Sequence, residues 1–347
     1  MSRQIRTQLT KLRTYIFVLL LAVGIILIYF GYRYLLEAPW LVGVMDRLAG
    51  FTTIFLGIFI EALPFLLLGA LASGLVEIFI SPQELSRLAP QRPLPGALAG
   101  SLMGLFIPVS ENGVVPLVRQ LFSRGFPAAA AFTFLLAAPV VNLIVIASTA
   151  AAFGIGPMLY LRVGLSVLVA IFTGLMLARR WPGRTSLPPF TADPTYSSPT
   201  ASSDAAQTTT RQARLQAALM IAVDEFFDMG RYLVLGALLA ALLQTLIPPA
   251  ALLGISQGPV ISVLVLMLLA VLLSAGSTVD AFIALSFVGL FSPGAILAFL
   301  VFGPVVDLKN MMMYRRVFTT RTVAGLISLP FLLIFVSGVL INLLWVG

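Results

Sequence analysis

Nine apolar stretches make up most of this sequence, and two of them cannot run through as ordinary helices. Those near 14–35, 50–80, 127–153, 157–179, 215–247, 294–313 and 323–346 are each long enough to cross a bilayer, which takes about 20 helical residues. The stretches at about 95–118 and 259–291 are interrupted. The first breaks at Pro108-Val109-Ser110-Glu111-Asn112-Gly113-Val114-Val115-Pro116, the second at Ser274-Ala275-Gly276-Ser277-Thr278-Val279-Asp280. Irregular backbone exposed to lipid leaves polar groups unpaired at several kcal/mol each, so such breaks must be buried in protein or line a cavity. The pattern predicts an all-α integral membrane protein whose irregular segments are functional.

Composition agrees. Hydrophobic residues are 60% of the chain and charged residues 10%, against roughly 25% charged in soluble domains. The formal charge of +8 is scattered between apolar runs, so nucleic acid is not the expected partner; lipid is. Cysteine and histidine are absent, which excludes disulfides, thiolate or imidazole metal sites and Cys or His catalysis. No cofactor motif is evident. Arg3, Arg6, Lys11 and Arg13 precede the first apolar run, which reads as a retained signal-anchor helix within an N-terminal segment 1–48.

Residues 181–214 are rich in Pro, Ser, Thr and Ala and lack the apolar content to order themselves, which predicts a flexible cytoplasmic linker. On either side, 49–180 and 215–347 repeat each other. Phe134-Leu135-Leu136-Ala137-Ala138-Pro139-Val140-Val141-Asn142 aligns with Phe299-Leu300-Val301-Phe302-Gly303-Pro304-Val305-Val306-Asp307. Leu66 to Leu71 aligns with Leu233 to Leu238, which sets Glu61 opposite Asp228 and Pro82 opposite Pro249. If both broken runs are re-entrant hairpins and the N-terminus is cytoplasmic, 17 of the 21 Lys and Arg residues fall inside, the exceptions being Arg33, Arg47, Arg162 and Arg231. Full crossings would move seven of those charges outside. The positive-inside rule therefore favours two inverted repeats, each carrying a re-entrant hairpin.

The breaks hold the candidate site. Ser110, Glu111, Asn112 and Gly113 place a carboxylate between two prolines, and a charge deep in the membrane costs at least about 2.5–3.5 kcal/mol unless solvated or paired. Ser277, Thr278 and Asp280 fill the matching break; hydroxyls and a carboxylate suit a hard cation, a proton relay or a polar solute, while Asp280 could instead cap a helix starting at Ala281. Asn142 and Asp307 each follow a Pro-Val-Val step, with Asn310 three residues beyond Asp307; each can face a cavity or repair the local kink. Glu61 reads as a gating or coupling carboxylate, whereas Asp228 has an i,i+3 partner in Arg231. Asp224 and Glu225 are expected near the membrane surface. Met311-Met312-Met313 point around a helix and read as packing, and Gly69/Ser73 and Gly236/Ala240 as close helix contacts.

Several of these strings resemble the predicted permease family that includes the ArsP-type organoarsenical efflux proteins. They are Glu61-Ala62-Leu63-Pro64-Phe65 with Gly69, the Pro108 to Pro116 break, Ala138-Pro139 with Asn142, Ser277 to Phe282, and Gly303 to Asn310. The resemblance covers about 51–321 and implies a permease fold and a solute pathway through these breaks. One departure matters. Where the family commonly has Pro-x-Cys-x-Cys-Gly, this chain has Ser110 and Asn112, and Gly276 stands about where another cysteine often falls. Trivalent arsenicals are held by thiolates, so the resemblance implies a permease and not a thiolate arsenical site. The expected function is movement of a small molecule or ion across the inner (plasma) membrane by a secondary transporter, not an enzyme. A gradient-driven channel and an intramembrane carboxylate enzyme are the alternatives, and a homo-oligomer or accessory subunit is left open.

Overall fold

A computed structural model of the chain describes residues 15–29, 42–109, 111–179, 210–246 and 258–345. The basic N-terminal residues, most of the linker, Pro249 and Ser110 lie outside the described residues. The described residues are almost wholly helical. The helices are α1 (Tyr15–Tyr29), α2 (Val42–Phe79), α3 (Pro82–Leu88), α4 (Pro93–Phe106), α5 (Glu111–Ser123), α6 (Ala128–Val141) and α7 (Leu143–Phe153). They continue with α8 (Pro157–Ala178), α9 (Arg211–Leu246), α10 (Ile261–Leu273), α11 (Ser277–Leu285), α12 (Pro293–Phe302), α13 (Leu308–Val317) and α14 (Thr320–Trp345). Among the described residues five helical stretches are long and apolar enough to span a bilayer: α2, α6 with α7, α8, α9 and α14.

The centre is built from the two helices with no polar face. Every residue of α6 from Ala129 to Val141 is buried, as is every residue of α12 from Gly294 to Phe302, as an all-round apolar helix requires. Their surroundings correspond: α6 packs between α4 and α8, and α12 between α10 and α14. Small residues allow the close approach. A Cβ added at Gly104 would lie 2.8 Å from the Ala138 amide nitrogen, so α4 rides directly on the backbone of α6.

Helices α2 and α9 form the most extensive pair. Gly74 of α2 meets Ala218 and Ala222 of α9, while Gly230 lies next to Leu66, so the two run antiparallel. That register levels Glu61 with the residues just beyond Arg231. Outside this frame, α4, α5, α10 and α11 have 14, 13, 13 and 9 residues. At 1.5 Å per residue each reaches at most about 21 Å, short of the roughly 30 Å hydrocarbon core.

Two details differ from the sequence reading. The second break is confined to Ser274–Gly276, and α11 already begins at Ser277, so Asp280 lies in its first turn and does not cap a helix starting at Ala281. Gly276 makes the sharp entry with φ +126, a conformation that side chains disfavour. The 294–313 run is also two helices, since α12 stops at Phe302 and α13 starts at Leu308.

Candidate functional site

The two sequence breaks meet. Pro108 ends α4 and, with no N–H to give, separates it from α5, whose first residue is Glu111. The backbone N–H of Ser277, first residue of α11, donates to Glu111 Oε1 at 2.9 Å. A carboxylate is stabilised at a helix N-terminus because the first amides lack intrahelical acceptors. The first turn of α5 thus supplies the carboxyl group held at the start of α11, 166 residues away. Glu111 is 6% exposed, and its second oxygen, Oε2, has no hydrogen-bond donor. Facing that oxygen at 3.5 Å is the ammonium of Lys309 from α13.

Lys309 sits in a mixed cage. Its Nζ lies 5.3 Å from the Tyr232 ring centroid and 3.7 Å from Met229 Sδ, both on α9. Arg162 of α8, 1% exposed, reaches the opposite side of the tip: its guanidinium donates to the Ser277 carbonyl at 2.8 Å and to the Thr149 hydroxyl. Asp280 is fully buried and folds back on the break that precedes it, accepting from the Ala275 amide at 2.9 Å and the Ser274 hydroxyl at 2.7 Å. A Cβ at Gly303 would lie 3.2 Å from Asp280 Oδ2, so the gap between α12 and α13 closes over this turn.

Asn142 and Asp307 do local work. Asn142 caps α7, its Oδ1 accepting from the Ile144 and Val145 amides at 3.0 Å while its Nδ2 donates to the Ala138 carbonyl at 3.0 Å. In the second half the tasks are divided. Asp307 caps α13 by accepting from the Asn310 amide, and the Asn310 side chain donates to the Pro304 carbonyl at 2.9 Å. Both satisfy backbone groups left open where one helix ends and the next begins.

A small open cleft lies against the tips, lined among others by Ser73, Glu111, Asn142, Glu225, Ser277 and Thr278. Its other walls are apolar, including Leu66, Pro108 and Met229. Glu225, expected near the membrane surface, is therefore a cleft residue. Glu111, Asn142, Ser277 and Thr278 are brought to the cleft; Asp280, Asp307 and Asn310 are packed behind it. Asn112 and Gly113 belong to the first turn of α5. Glu61 does not join them. It is exposed and lies about 140° around α2 from the cleft-lining Leu66. Asp228 and Arg231 pair at 2.8 Å, as their spacing implied.

The sequence matches the family described as predicted permeases over residues 47–343. This chain is a member of that permease family. A relative of the permease from Bacillus subtilis (strain 168), named UPF0718 protein YcgR, is 38% identical over 291 residues, 84% of this chain and 96% of that protein. Another from Streptococcus mutans serotype c, named a putative two-component membrane permease complex subunit, is 35% identical over 292 residues, 84% of this chain and 94% of its own. No solved structure matches the permease. Among the described residues no group of three or more carboxylates could hold a metal ion.

Two site residues were missed in the sequence. Arg162 carried a signal, since it was an unexplained exception to the charge bias. Lys309 carried none of its own, because it counted with the basic residues of 309–321, while its ammonium stands 3.5 Å from Glu111 Oε2.

Proposed function

We propose that the chain is a secondary-transporter-like permease moving a small solute across the inner membrane, with the solute binding where the two breaks meet. The observation that carries this reading is the Ser277 to Glu111 hydrogen bond, which joins the tips of two helical pairs beside an open cleft. In our reading 49–180 and 215–347 are inverted repeats, the N-terminus and the 181–214 linker are cytoplasmic, and both hairpins return to the side they entered. The short helices α4, α5, α10 and α11 and the corresponding packing around α6 and α12 support it. Glu111, Asn142, Ser277 and Thr278 contact the solute; Ser110, Asn112 and Gly113 complete the first tip; Asp280, Asp307 and Asn310 hold the backbone that shapes it. Rocking of one repeat against the other then exposes the cleft to each side in turn.

The chain has no cysteine, so one introduced at Thr278 can be read without background. Membrane-impermeant thiol reagents should modify T278C from either face of the membrane when applied separately. Labelling from neither face would refute a solute pathway here.

The Streptococcus relative's name supports an accessory subunit for this permease as well. The exposed Glu61 on α2 is the docking point we infer, because a carboxylate facing lipid near the level of Arg231 needs a donor. A photo-crosslinking residue at position 61 should give a hetero-adduct in native membranes; a homodimer adduct alone would contradict the inference.

A further inference from the structure

The Glu111 to Lys309 contact is a poor ion pair by geometry. Charge-assisted N–H···O bonds lie at about 2.7–2.9 Å, whereas this ammonium stands 3.5 Å from Oε2, and that oxygen receives no hydrogen bond. Lys309's other near neighbours are the thioether of Met229 and the face of Tyr232, which attract a cation without fixing donor directions. Such an environment accepts a positive charge and specifies little else about it. Glu111 is also a cleft residue while Lys309 reaches it from behind, on α13. Among the described residues, Asp280, Asp307, Arg162 and Tyr314 are further ionisable groups that interact with Glu111. Asp280 and Asp307 are committed to local hydrogen bonds, and Arg162 to Ser277 and Thr149.

We propose that Glu111 Oε2 is a monovalent-cation subsite of the cleft, occupied in this structure by the tethered ammonium of Lys309. The transported solute, or the ion coupled to it, enters as a cation that displaces that ammonium. This rests on the permease reading and adds the charge class of what binds. The single carboxylate pairs with one positive charge at a time: either Lys309 holds it and the site is closed, or the incoming cation holds it and Lys309 withdraws over Tyr232. Glu225 lines the same cleft, and among the described residues no basic side chain does.

The test removes the tether and supplies a free cation. The full-length K309A variant, purified in detergent, is melted in rising concentrations of n-propylammonium chloride or sodium chloride. N-methylglucammonium chloride, too bulky to follow, holds ionic strength constant. One or both small cations should raise the melting temperature saturably by about 3–5 °C. Wild type should not respond, because Lys309 already fills the site, nor should E111Q/K309A. A response to propylammonium points to an organic ammonium in the cargo, and a response to sodium alone to an inorganic coupling ion. If K309A cannot be recovered folded, propylammonium present during extraction should restore its yield but not that of E111Q/K309A. No response in K309A, or an equal one in the double variant, overturns the proposal. The readout is independent of transport, so a chain with the cation response but no solute pathway would fail the permease reading alone.

Discussion

Replacing Asn142 by Ala should destabilise the protein more than replacing it by Asp. In the native chain Asn142 satisfies three backbone groups: the Ile144 and Val145 amides and the Ala138 carbonyl. Alanine leaves all three without that partner. Loss of an N-cap side chain costs about 0.5–2 kcal/mol, and each buried group left unsatisfied about 1–3 kcal/mol. Ile144 is half-buried and recovers part of its loss from water, while Val145 is buried. The sum is about 2–4 kcal/mol, a fall in melting temperature of roughly 4–16 °C by the scaling of soluble domains of 150–250 residues. Aspartate keeps the acceptor and loses only the bond to Ala138, as Asp307 does at the matching position, so its penalty should be less than half as large. Fluorescence-detected melting of the purified variants measures both. An N142A curve superimposed on wild type, or an N142D penalty exceeding that of N142A, would refute the capping account.

Replacing Arg162 by Met removes the donor to the Ser277 carbonyl and should cost about 2–4 kcal/mol. It should also quicken thiol labelling of T278C, and an unchanged rate would mean that the arginine does not hold the tip. In the short polar helix α3, exposed Glu84 accepts from the Ser81 amide and hydroxyl, and these bonds hold its carboxyl below the usual range. The capping box therefore contributes fully above the ordinary glutamate range, about pH 4.3, and is lost as pH falls through the lower folded value. Amide exchange in α3 should lose protection in that acidic window in wild type, and E84Q should show no such step.

The breaks were legible because proline and glycine announce them locally: Pro108, Gly276 and the two Pro-Val-Val steps all mark places where helices end. For Asn142 and Asp307 the sequence left cavity-facing and local kink repair open; the capping that the structure shows uses partners within four residues. What the tips touch was not legible. Ser277 binds Glu111 across 166 residues and Arg162 across 115, and apolar periodicity says nothing about which surfaces meet at such range. That Glu61 stands on the exposed side of α2 was not legible either, because a helix covered with apolar residues on all sides gives no clue to which side faces the protein. Lys309 was hidden by its company, one basic residue just before a basic turn.

The sidedness of four engineered cysteines tests the inverted, re-entrant architecture most directly. Gln91, Arg124, Ile155 and Val288 are all exposed at the ends of helices or in the turns between them. In intact cells and inverted vesicles, Q91C and R124C should label from the cytoplasmic face, and I155C and V288C from the opposite one. R124C labelling from the face opposite Q91C would mean that α4 and α5 cross the membrane, and the two tips would not share a midplane site.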